Sequence, residues 1–158
     1  MYKGLKMYNN VRLLSRGLVH KRFIECFYEI KIFLNDHHIS YQELSDYKWV
    51  SKLMFFADFC EHLNELNVIL QGSGKALDVT FGYIKAFEKK LEVFKKDIGD
   101  ERFKYFSNLK RHINDLQNDD RTDLQSLQKL FLNIIVSAVG QFFTRFLKFR
   151  ELEETPNS

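Results

Sequence analysis

Proline is almost missing from this chain. Its single copy, Pro156, stands near the C-terminal end, so no proline interrupts a helix before it. Seven glycines in 158 residues favour long helices over a turn-rich β fold. Cysteine is scarce as well. Cys26 and Cys60 both fall inside apolar helical patterns and read as reduced, buried thiols of an intracellular protein, with a disulfide between them as the alternative. The stretch Met1–Asn10 is polar and lacks the apolar region of a signal peptide. A strong excess of one charge is missing too. A formal net charge of +3 is mildly basic and well short of a dedicated nucleic-acid-binding tail.

What the chain does have is aromatic bulk. Sixteen Phe and seven Tyr are too many for a disordered polypeptide. A chain of this length forms one domain and buries roughly 68–70% of its unfolded surface without needing disulfides or metal.

The apolar spacing is helical nearly throughout. Ser15 is placed to cap a first helix whose apolar positions are Val19, Phe23, Cys26, Phe27, Ile30, Phe33 and Leu34. Ser40 and Glu43 have capping-box spacing. After Asp46 comes a heptad seam of Trp49, Leu53, Phe56, Cys60, Leu63, Asn67 and Leu70, closed by Gly72 and Gly74. An Asn in such a seam fixes register or partner choice. A further helix from about Ala76 to Asp97 carries Leu77, Phe81, Ile84, Phe87, Leu91, Phe94 and Ile98, and Gly99 is expected to stop it. Phe103, Phe106, Leu109, Ile113 and Leu116 mark a shorter helix, and Asn118–Asp120 a loop. The last helix is expected from Thr122 or Asp123 to about Leu152, apolar on more than one face and so either central in a bundle or packed on two sides. Asn133, Gln141 and Arg145 interrupt its apolar run. An arginine in a spanning segment costs at least about 2.5 kcal/mol, so no membrane partner is expected.

Candidate chemistry is sparse. Asp58, Glu61, His62 and Glu65 share helical spacings but lack the zinc-protease pattern and the second Glu-x-x-His helix of a di-iron bundle. They read as a solvated face with one partly buried His. Cys60 and His62 are two apart and point about 200° away from each other, so no zinc site with His37 and His38 is expected, nor any other metal or cofactor. Gln71–Lys75 lacks the full phosphate-loop spacing and follows no strand. Arg12, Arg16, Lys21 and Arg22 are the candidates for contact with nucleic-acid phosphates, against the plainer reading of surface charge.

Several short motifs occur in a fixed order. They are Val11-Arg12-Leu13-Leu14-Ser15-Arg16-Gly17, Phe33-Leu34, Asp46 with Trp49 and Leu53, His62-Leu63-Asn64-Glu65-Leu66-Asn67, Leu70-Gln71-Gly72, and Ile84-Lys85-Ala86-Phe87 with Lys90-Leu91. In that order they resemble the helical region of hAT transposase-derived proteins, among them BED-type zinc-finger, SCAN-domain and general transcription factor II-I repeat host proteins. Leu13 stands where the family has Trp. The resemblance is close from about Val11 to Leu109 and looser from Asp123 to Phe149.

The resemblance implies an all-α bundle or array of about five helices, like the insertion domain of an RNase H-like transposase. Residues 1–14 are then a lead-in and candidate remnant of that core, 15–152 the helical domain and 153–158 a polar tail. The family's metal-binding acidic triad lies outside the matched motifs, so the expectation is a non-enzymatic, nuclear fragment of a domesticated or decayed transposase. Its implied partners are DNA, a second copy or another transposase-derived protein. The alternative is a helical interaction or dimerisation module with no nucleic-acid role.

Overall fold

A computed structural model of the chain describes residues 19–72, 74, 76–116, 123–147 and 151. Among them there are helices and no strand, so the fold is all-α. Helix α1 covers residues 19–25, followed by α2 (Phe27–Asp36), a 3-10 turn (Gln42–Leu44), α3 (Tyr47–Gln71), α4 (Leu77–Gly99), α5 (Ser107–Asn114) and α6 (Leu124–Arg145). The lead-in, the Ser15 cap, the Asn118–Asp120 loop and the polar tail lie outside the described residues.

The chain divides into two compact units. One is Met1–Glu65 with Phe106–Thr122, the other Leu66–Tyr105 with Asp123–Ser158. In the first, Ile24 and Phe27 are buried together with Val50, Met54, Phe55 and Phe59 of α3 and Leu109 and Ile113 of α5. Phe55 stacks on Phe59 at 5.9 Å and on Phe106 at 5.2 Å. Asp46 starts α3: its Oδ1 accepts the Lys48 N–H at 2.9 Å, and its carbonyl accepts the Val50 N–H at 3.0 Å. At the other end Gly74 takes φ +81, a conformation that suits glycine.

In the second unit, the expected stripe of α4 is buried from Phe81 through Ile98; only Leu77, at the helix start, is exposed. Steps of three and four keep those side chains on one face. They pack against Leu127, Phe131 and Ile135 of α6, with the Phe87 and Phe142 rings 5.3 Å apart. Gln128 Nε2 donates to the carbonyls of Ile98 and Gly99 at 2.8 and 3.0 Å, satisfying two orphan acceptors at the end of α4.

Several expectations are corrected. Cys26 is exposed and Cys60 only half-buried, and neither is in a disulfide. Val19 and Phe33 are exposed too, while Ile24, absent from the expected face, is buried. The helix yields at Cys26, although Cys26 N still donates to Arg22 O and Ile30 N to Cys26 O. No side chain caps the 3-10 turn, so Ser40 and Glu43 form no capping box. Gly99 is the last residue of α4 rather than its stop. Glu101, at φ 55, takes the left-handed position, with Glu101 N donating to Ile98 O and Arg102 N to Asp97 O. The same two-bond closure ends α2, where His38 at φ 55 is left-handed. Phe103 and Phe106 are buried but precede α5 instead of lying on it. Finally, α6 is buried along a single stripe, neither central in a bundle nor packed on two sides.

Candidate functional site

Of the four proposed phosphate-contacting residues, Arg12 and Arg16 lie outside the described residues. Lys21 and Arg22 sit on α1 and both carry carboxylate partners. Lys21 Nζ lies 3.5 Å from Glu61 Oε1, and Arg22 Nη1 lies 3.9 Å from Glu25 Oε2. Exposed pairs of this kind contribute only about 0–1 kcal/mol, so each cation can exchange its partner.

The α3 seam does not form the monomer's core. Trp49 and Phe56 are exposed, and Leu53, Cys60, Leu63, Asn67 and Leu70 are half-buried. The buried positions of this helix are Val50, Ser51, Met54, Phe55, Asp58, Phe59 and Leu66. At about 100° per residue the two sets point to opposite sides, roughly 150° apart. Helix α3 is apolar on both, and the periodicity alone does not say which side the fold takes.

Asp58 is the main departure from the solvated-face reading. It is 3% exposed and closes the start of α5 from another element. Its Oδ1 accepts from Asn108 N at 3.3 Å and Asn108 Nδ2 at 2.7 Å, and its Oδ2 accepts from Leu109 N at 3.0 Å. Helix α5 has no cap of its own, since its N-cap residue is Phe106. Burial pushes the Asp58 carboxyl above its ordinary value, while the donors from Leu109 and Asn108 and the nearby His62 pull it back. The one sequence signal for this role is position: Asp58 continues the buried stripe of Val50, Met54 and Phe55.

The histidines and cysteines serve separate purposes. His62 faces the edge of Phe106 at 6.0 Å and has Glu65 Oε2 3.7 Å from its Nδ1. His37 Nδ1 lies 2.8 Å from the Phe33 carbonyl. His112 Nε2 donates to the Tyr47 carbonyl at 3.3 Å, and burial holds its pKa below the ordinary value. Burial raises the Cys60 thiol. Among the described residues no three potential ligands converge on a metal position.

Two surfaces remain. In the first unit, a cleft of about 430 Å³ opens between α1, α3 and α5, with Ile24, Ala57 and Cys60 among its lining and Lys21, Glu61 and Arg111 contributing charge. In the second, α6 exposes Leu130, Ile134, Val136 and Phe143, the last two each 50% exposed, and Leu147 just beyond the helix is exposed too. By length and composition this 22-residue helix is also apolar enough to cross a membrane.

Comparison with known proteins adds the following. Residues 1–99 match the family described as the FAM200/GTF2IRD2 helical domain. General transcription factor II-I repeat domain-containing protein 2 of Bos taurus is 35% identical over 109 residues, covering 69% of this chain and 12% of the relative. The Mus musculus protein of the same name is 31% identical over 109 residues, with the same shares. The chain therefore spans 12% of the length of these curated relatives. No solved structure matches it.

Proposed function

Because the chain belongs to the FAM200/GTF2IRD2 helical-domain family, we propose that it is a non-enzymatic protein-interaction domain of a nuclear, hAT-transposase-derived protein. The observation that carries this reading is the exposed apolar surface of α6. Its core contact uses Leu127, Phe131 and Ile135, yet Leu130 and Ile134 are exposed on one flank of that stripe and Val136 and Phe143 on the other. Large apolar side chains left at a helix surface in this way favour an interaction role. The ordered motifs support the transposase origin, and the transcription-factor name of the relatives supports the nucleus. The RNase H-like insertion is the architecture from which such a domain derives.

Sedimentation of the purified chain tests the reading. Reversible self-association, or a stable complex with another transposase-derived chain, is expected, and Phe143→Glu should weaken it. A monomer at all concentrations, with DNA affinity that falls steeply with salt and is lost when Arg12, Arg16, Lys21 and Arg22 become Ala, would instead establish DNA binding as the function.

A further inference from the structure

The cleft of the first unit contains a cation held in place from behind. Asp58 is buried, and its Oδ1 fixes the Asn108 carboxamide through a 2.7 Å bond from Nδ2. That orientation turns Asn108 Oδ1 toward Arg111, whose Nη2 donates to it at 3.3 Å. The guanidinium is therefore anchored through a neutral group, which leaves its charge uncompensated and other N–H groups available. The other cleft charges are paired: Lys21 with Glu61, and Glu25 with Arg22. Asp115, one turn beyond Arg111, accepts the Tyr28 hydroxyl at 3.4 Å.

We propose that this cleft receives an acidic side chain of a partner polypeptide, with its carboxylate on Arg111 and adjoining apolar atoms against Ile24, Ala57 and Cys60. The proposal rests on the reading of the chain as a protein-interaction domain. A volume of about 430 Å³ falls within the usual range for specific ligand sites. A pre-oriented guanidinium suits the two oxygens of a carboxylate, because a planar fork loses little freedom on binding. Lys21 and Arg111 are balanced in the lining by Glu25 and Glu61, so the cleft has no net positive charge to hold a nucleic-acid backbone, and a singly charged group on Arg111 is favoured. Arg111 is thus the anchor, and Asn108 is a positioning residue.

Cys60 is a built-in reporter, because it lines the cleft while Cys26 is exposed and does not. The experiment follows iodoacetamide alkylation of both thiols in the full chain, in the presence of N-acetyl-Leu-Glu-amide or N-acetyl-Leu-Gln-amide. The Glu peptide should slow Cys60 about tenfold at ten times its Kd and leave Cys26 unchanged. The Gln peptide should give no protection, Arg111→Gln should abolish the effect, and Arg111→Lys should restore part of it. Equal protection by both peptides, protection that survives Arg111→Gln, or none at all would overturn the proposal. Stronger protection by inorganic phosphate would also overturn it, in favour of a free-anion site. Phe143→Glu separates this idea from the α6 reading, because it should weaken association while peptide protection of Cys60 persists.

Discussion

The Asp58 carboxylate ties α3 to the start of α5 through three donors, two from the backbone and one from a side chain. Replacing it with Ala strands those donors inside the first unit, and the expected loss is about 2–3 kcal/mol in urea unfolding. Asn at this position keeps one acceptor oxygen and should lose less. Hydrogen exchange at the Asn108 and Leu109 amides should accelerate in both variants. His112 supplies a pH-dependent term of definite sign. Burial lowers its folded pKa below the ordinary 6.5, so the unfolded chain binds the proton more readily. The stability from neutral His112 is therefore full above pH 6.5 and is lost as pH falls through the depressed folded value. Thermal unfolding of His112→Gln should show a shallower decline over that window than the parent. Neither role is visible along the chain, because Asp58 and Asn108 are 50 positions apart and His112 meets Tyr47 across 65.

At the scale of elements, helix existence was legible and helix endings were less so. The stripe from Phe81 to Ile98 could be read directly, since a single apolar face leaves one way to pack α4. The end of α4 is instructive. Gly99 suggests a stop, but the left-handed turn that closes the helix falls on Glu101. A non-glycine residue there costs roughly 1–2 kcal/mol, so Glu101→Gly is expected to raise Tm by a few degrees. Gly99 itself is helical, and a Cβ added there meets nothing within 4 Å. Gly99→Ala should therefore stabilise by about 0.5–1 kcal/mol. If either substitution lowers Tm, this description of the α4 terminus is wrong. Helix α3 was legible as a helix but not in its orientation, because both of its sides are apolar.

For the molecule as a whole, α6 carries both a buried stripe and exposed apolar side chains. Phe131 is fully buried, and its replacement by Ala should cost about 3–5 kcal/mol through the cavity it leaves. Phe143, the same residue type on the same helix, is half exposed, and Phe143→Glu should cost less stability than Phe131→Ala. Denaturant midpoints of the two variants test that contrast. Sedimentation should show the reverse ranking, with association sensitive to Phe143. The phosphate-contact candidates are less informative here, since Lys21 and Arg22 already have acidic partners.

By itself, the order of residues determined that this protein is helical, which face of α4 faces inward and which family it resembles. Those properties follow from spacings of three and four and from short motifs, all contained within one helix or one local stretch. The tertiary structure alone decided which side of α3 is buried, that Asp58 caps a distant helix, that Arg111 bonds to Asn108 at the edge of a cleft, and that only one stripe of α6 is covered. The physical reason is that burial and hydrogen bonding depend on what is packed opposite, and residues far apart in the chain supply it.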